Sequence, residues 1–351
     1  MQVQQVIQHL ETIAPPSYQE SYDNAGLLVG DPQQEVTGVL TCLDSTEAVL
    51  DEAQRRGCNL VVAHHPIVFR GLKRLTGKNY VERVVMQAIR QGIAIYAIHT
   101  NLDNVYHRGV NGRIAEQLGL INTRILAPKG VMKKLVTYVA ADHSDTLRRE
   151  LVKVGAGQLP GQRGDRSHAG LGVAYQRGQG RAEVRLEFHY AAPQEGRILR
   201  TLRQYHPESP VPYEVHGIDN RHPEVGSGLI GELAEPAYEK PFLQFVKKAM
   251  KVGVIRHTRL RSRKIGTVAL CGGAGGFLLG RAKAAGADIF ITADYKYHEF
   301  FDADGEILIA DIGHYESEQY TVELLSSIIS TKFRTFAVYS TEVNTNPVKY
   351  T

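Results

Sequence analysis

The sequence predicts an α/β protein: two pseudo-repeated α/β lobes with mostly parallel sheets, interrupted by an inserted ferredoxin-like α+β domain. Three observations lead there. Short apolar runs rich in β-branched residues alternate with amphipathic stretches in both outer parts of the chain, as βαβ units do. A block near the N-terminus returns 229 residues downstream without a gap. Residues 130–225 break the alternation. The expected division is therefore a discontinuous domain, 1–129 with 226–351, and an insert, 130–225.

Taken in order, residues 2–13 place Val3, Val6, Ile7 and Leu10 at helical spacing, and Pro15-Pro16 ends that helix. Glu20–Gly30 is a turn entering a short strand, in which Asp23 and Asn24 either serve turn chemistry or line a site. Val36–Leu43 reads as a strand, with Ser45 as N-cap of a helix Thr46–Arg56 that stops at Gly57. Leu60–Ala63 is a buried strand, followed by His64-His65-Pro66. A helix over 79–91 stops at Gly92, and the strand Ile93–Ile98 leads into His99-Thr100-Asn101-Leu102-Asp103. Slid by 229 residues, Val36–His65 lies over Ile265–Asp294, so that strand, turn, helix, glycine stop and strand coincide. Past that block, His99-x-x-x-Asp103 is echoed by His314-x-x-x-Glu318 after the strand Ile307–Ile312. In the insert, Leu135–Ala140, Ala182–Tyr190 and Val211–Val215 read as strands, and Ser144–Val154 and Gln194–Tyr205 as helices. One further strand is expected within the Gly-rich passage 155–180, and a turn-rich exit over Asp219–Gly231.

Composition narrows the function. With 41 Lys plus Arg against 37 Asp plus Glu, a net charge of +4 gives little support for a nucleic-acid or acidic-membrane partner. Three cysteines with no CxxC argue against a disulfide framework and a thiolate zinc site. No basic-then-apolar leader opens the sequence and no apolar run is long enough to span a bilayer, so a cytoplasmic protein is expected. The basic run His257–Lys264 lacks interleaved aromatics and reads as a solvated loop.

Chemistry concentrates at strand ends, where α/β sheets gather ligands. Four clusters compete for one site: His64/His65, His99/Asp103, Asp294/His298 and His314/Glu318. Imidazole and carboxylate without thiolate suit zinc, iron, manganese or nickel, and a carboxylate can bridge two ions. The turn Cys271-Gly272-Gly273-Ala274-Gly275-Gly276 resembles a dinucleotide turn but has Leu278 at the last glycine position. It is either a phosphate cradle or a tight turn needing small residues.

The stretches SYDNAGLLVG (21–30), VVAHHPIVF (61–69), HTNLD (99–103), GADIFITADYKYHEF (286–300), GHYESE (313–318) and NTNP (344–347) resemble the dinuclear-metal, hexamer-forming family labelled GTP cyclohydrolase 1 type 2 homologs. The resemblance implies metal ligands at His64, His65, Asp103, His314 and Glu318, with two divalent ions per chain. It also implies a ring-shaped homohexamer and an insert similar to PII-like and CutA-like modules. The Gly-rich passage is shorter than in the longer members, and Tyr22 stands where they carry Trp. The function expected is a metal-dependent hydrolase acting on a nucleotide or related small molecule through hydroxide generated at the ions. His99, Asp294 and His298 would orient ligands or shuttle protons. The alternative is a non-catalytic, metal-responsive regulatory or metal-handling protein.

Overall fold

The computed structural model describes residues 1–157, 173–176 and 182–351; most of the Gly-rich passage 155–180 lies outside them. Among the described residues, no helix is long and apolar enough to cross a membrane. Two compact units emerge, Met1–Ala127 with Gly226–Thr351, and Pro128–Val225.

In the first unit, α1 (Val3–Ile13) buries Val3, Val6 and Leu10 on one face. It is followed by β1 (Gly26–Val29), β2 (Gly38–Cys42), α2 (Glu47–Arg55), β3 (Leu60–Ala63), α3 (Tyr80–Gln91), β4 (Ala94–Ala97), the short α4 (Thr100–Asp103), α5 (Val110–Gln117) and β5 (Ile121–Pro128). The cap of α2 is Thr46 rather than Ser45: the Thr46 hydroxyl accepts from the Val49 N–H at 3.3 Å. Asn79 caps α3 in the same way, and Gly92 closes it in the left-handed conformation at φ 64°.

The second unit runs β6 (Met132–Ala140), α6 (Ala141–Lys153), β7 (Val173–Gln176), β8 (Ala182–Ala191), α7 (Glu195–Tyr205) and β9 (Tyr213–Gly217). Its sheet has the order β7-β8-β6-β9 with antiparallel neighbours throughout. Leu147 and Leu151 of α6 and Ile198 and Leu202 of α7 pack with Leu135, Phe188 and Tyr190 of the sheet.

The chain returns to the first unit with β10 (Gly226–Tyr238), α8 (Glu239–Ala249), β11 (Arg256–His257), β12 (Lys264–Ala274), α9 (Leu279–Ala284), β13 (Ile289–Ala293), β14 (Leu308–Asp311), α10 (His314–Glu318), α11 (Thr321–Lys332) and β15 (Ala337–Ser340). One sheet is ordered β1-β4-β3-β2-β15, the other β11-β14-β13-β12-β10-β5. Strands β4, β3, β2 and β15 are parallel, as are β12, β13 and β14. The expectation of mostly parallel sheets holds for these centres and needs correcting at their flanks, where β1, β11 and β10 run antiparallel to their neighbours. Every residue of β2, β3, β4, β13 and β14 is buried, which is why these strands read as unbroken apolar runs. The turn-rich exit expected over Asp219–Gly231 gives way to β10 from Gly226 onward.

Candidate metal centre

The carboxyl ends of β3 and β4 and those of β13 and β14 face one cavity of about 1080 Å³ within the first unit. At the end of β3 the His64 and His65 N–H groups extend the pairing with β2, donating to the Cys42 and Leu43 carbonyls at 3.0 and 2.9 Å. The chain then bends at the pair, and the two rings tilt by 47° with centroids 4.9 Å apart. After β4, His99 opens α4, which ends in Asp103; after β14, α10 carries His314 and Glu318 on successive turns.

These elements bring together the five residues expected as ligands. Glu318 is the hub. Its Oε2 lies 2.9 Å from His65 Nε2, 3.2 Å from His314 Nε2 and 3.8 Å from His64 Nε2, the last beyond hydrogen-bond reach. His64 Nε2 is 3.5 Å from Asp103 Oδ1, and His314 Nε2 is 3.4 Å from His65 Nε2. His64, His65 and Glu318 each offer a ligand atom within 4.8 Å of the others.

Each imidazole is held from behind. His64 Nδ1 meets the Ile98 carbonyl at 2.9 Å, His65 Nδ1 meets Asp44 Oδ1 at 2.8 Å, and His314 Nδ1 meets Asp294 Oδ2 at 2.8 Å. A ring held at Nδ1 turns Nε2 toward the centre, the usual arrangement behind metal-bound histidine. Asp294 does this from a left-handed backbone, φ 58°. Asp44 was not singled out by the sequence, although it sits at the end of β2, where the carboxyl-end rule points.

The burial of this donor set perturbs its carboxyls and imidazoles. Burial raises the Asp103 carboxyl well above the usual range, and the Glu318 charge raises it further. Burial also opposes charge on Glu318, but the His314 charge and hydrogen bond outweigh it and hold that carboxyl well below the usual range. His64, fully enclosed, is lowered by burial. Its Nε2 and Asp103 Oδ1 are buried without a hydrogen-bond partner. Buried polar atoms left in this way are costly unless something joins them. Two nitrogen-and-oxygen donors aimed at each other fit a divalent cation.

Of the residues expected to assist, His99 lies against the cluster, its ring 5.4 Å from that of His64, and Asp23 Oδ1 meets its Nδ1 at 2.8 Å. Asp23 thus lines the site as well as ordering its turn, accepting also from the Thr100 N–H at 3.0 Å. His298 is not brought to the cluster: it is exposed beside Tyr297 on the 3-10 helix Tyr297–Ala303 and is not among the residues lining the cavity.

The glycine stretch is neither a phosphate cradle nor a tight turn: Cys271–Ala274 form the end of β12, where the register with β13 shifts between Leu270 and Ala274. The Gly272, Gly273 and Gly275 amides donate to Asn111, Ser317 and Thr292 side chains, each at 2.9 Å. A Cβ at Gly273 would lie 2.4 Å from Glu318 Oε1, so glycine is what lets the hub carboxylate approach β12.

Comparison with known proteins agrees with this architecture. A Bacillus subtilis protein named "GTP cyclohydrolase 1 type 2 homolog" is 31% identical over 370 residues, spanning 99% of this chain and 98% of that protein. Among solved structures, a Bacillus cereus protein related to NIF3 superposes with a TM-score of 0.83 at 31% identity, over 100% of this chain and 99% of that one. A Staphylococcus aureus protein does so with a TM-score of 0.82 at 30% identity, with the same coverage. The model of Duf34/NIF3 (NGG1p interacting factor 3) matches residues 1–347, and the chain belongs to that family.

Proposed function

We propose that this protein is a dinuclear divalent-metal hydrolase acting on a nucleotide or related small molecule. One observation carries the reading. The Glu318 carboxylate stands within 3.8 Å of three imidazoles whose Nδ1 atoms are already held, beside a buried and unpartnered Asp103 oxygen. His64, His65, Asp103, His314 and Glu318 would hold the cations. Zinc, iron, manganese and nickel suit this donor set. Bound there, the ions supply Lewis acidity and a water that ionises near neutral pH.

The chain's own residues do the rest. Asp44 and Asp294 fix the tautomers of His65 and His314. His99, held by Asp23, keeps Nε2 to pass a proton to or from a ligand. Phe69 and Phe277 line the cavity, whose volume suits a nucleotide-sized molecule. The relatives' name makes a purine nucleotide the first substrate to try. The β-α-β-β-α-β order and the fully antiparallel sheet support a ferredoxin-like fold for the second unit. Assembly into a ring-shaped homohexamer belongs to the same proposal.

The test is metal analysis of the purified protein, then a panel of nucleotides, phosphoesters and cyclic amides with and without metal. Turnover should require metal and disappear in His64→Ala and Glu318→Ala. Metal retained with no product anywhere in the panel would reject the hydrolase and leave a metal-handling protein.

A further inference from the structure

Residues 341–351 follow β15 and run along the cavity of the first unit. Their first attachments lie outside it: Thr341 Oγ1 donates to Glu52 Oε2, the Glu342 N–H donates to Glu52 Oε1 at 3.1 Å, and Arg56 pairs with the Glu342 carboxylate at 2.7 Å. Beyond Asn344 the contacts turn to the centre. Thr345 Oγ1 donates to Asp44 Oδ2 at 2.8 Å, and Asn346 Nδ2 donates to Glu316 Oε1 at 3.1 Å. Thr345, Asn346 and Tyr350 all line the cavity.

Asp44 thereby divides its two oxygens between two neighbours, Oδ1 for His65 Nδ1 and Oδ2 for Thr345. A carboxylate bonded through one oxygen turns easily, because the terminal torsion of aspartate is broad. A second bond on the other oxygen fixes its plane, and with it the plane of the imidazole it holds. We propose that Thr345 is a positioning residue of the metal centre: its hydroxyl locks Asp44, and through Asp44 the orientation of His65. The inference rests on the five-residue cluster being a metal centre. It makes the segment beyond β15 part of the site rather than an appendage to the sheet.

Cobalt(II) is a suitable probe, because its visible d–d absorption reports ligand geometry. The metal-free full chain is titrated beside Thr345→Val, which removes the hydroxyl but keeps the shape, and Thr345→Ser, which keeps the hydroxyl. Thr345→Val should weaken cobalt binding by about 10-fold, the low end for groups behind a ligand, and should alter the band. Thr345→Ser should restore both affinity and band. A chain stopped at Asn344, which keeps the Glu52 and Arg56 attachments, should match Thr345→Val. Wild-type affinity and spectrum in Thr345→Val overturn the proposal, as does a loss in Thr345→Ser equal to that in Thr345→Val. A loss confined to the shortened chain overturns it too, assigning the effect to packing. If the wild-type chain takes up no cobalt, the metal reading itself fails and the inference falls with it.

Discussion

Strand β4 leads through His99 into a short helix ending at Asp103, and strand β14 leads through Gly313 into a short helix carrying His314 and Glu318. The same spacing does different work in the two halves. In the second, histidine and carboxylate both face the centre, 3.2 Å apart. In the first, Asp23 holds His99 to one side while Asp103 faces His64 at 3.5 Å. The neighbouring strand makes up the difference: β3 ends in two histidines, whereas β13 ends in Asp294, which holds His314. The comparison teaches that a strand-end motif gives only a position. The group bonded to each Nδ1 then decides which histidines can reach the centre.

The harshest way to break this pairing is Glu318→Gln, which keeps the shape and removes the carboxylate that reaches imidazoles of both halves. Metal affinity should fall by more than the roughly 100-fold upper range for groups behind a ligand. Metal analysis of the purified variant checks it. Full metal content would place the whole centre in the first half. Next in size are Asp44→Asn and Asp294→Asn, each expected to weaken binding by about 10- to 100-fold. Asp294→Asn should cost more, because among the described residues His314 is the second half's only imidazole at the cluster. Equal losses in competition against a chelator would remove that distinction.

Burial opposes charge on His65, but hydrogen bonds with Asp44 and Glu318 outweigh it and hold its pKa up to about 10. On His314 burial is likewise outweighed, here by the Glu318 charge and the Asp294 hydrogen bond, giving about 11. Both rings therefore carry a proton at neutral pH when no cation is bound, and ligation must expel it. Metal uptake should release protons, and affinity should climb as pH rises toward about 10. Calorimetric titration in two buffers of different ionisation enthalpy measures the release. A flat affinity between about pH 6 and about pH 9, where both rings would still have to lose a proton on ligation, contradicts it.

The 229-residue offset carries Gly38–Cys42 into β12 and Leu60–Ala63 into β13, so the repeat follows backbone elements and not a chance match of letters. Strands buried on both faces and glycine-stopped helices announce themselves through burial and local backbone preference. Strand β10 does not, because Gly226, Gly228, Gly231 and Pro236 imitate turn composition. The sheet accommodates Pro236 where its register with β12 shifts, between Glu232 and Ala237. At the centre, His64 and His65 were conspicuous as an adjacent pair on an apolar strand. Asp44 and Asp23 were not, since a single aspartate after a strand or in a turn serves local chemistry equally well. Their roles come from contacts with residues 21 and 76 positions away, which no local pattern carries.

Asp23 provides the smallest and cleanest test of the unequal halves. Burial opposes its charge, yet hydrogen bonds from His99 and Thr100 hold its pKa down to about 2. Against an ordinary aspartate near 3.9, that difference stabilises the folded chain by about 2 kcal/mol at neutral pH. Because the folded value is the lower one, the contribution is complete above the ordinary carboxylate range and is lost as pH falls through about 2. Asp23→Asn should therefore unfold at lower urea concentration than wild type at pH 7, and the gap should narrow as the pH drops toward 3, just below the ordinary aspartate value. Cobalt affinity should stay within about threefold of wild type, far from the 10- to 100-fold expected behind a true ligand. A loss matching that of Asp294→Asn would mean that His99 also coordinates, making the two halves equivalent after all.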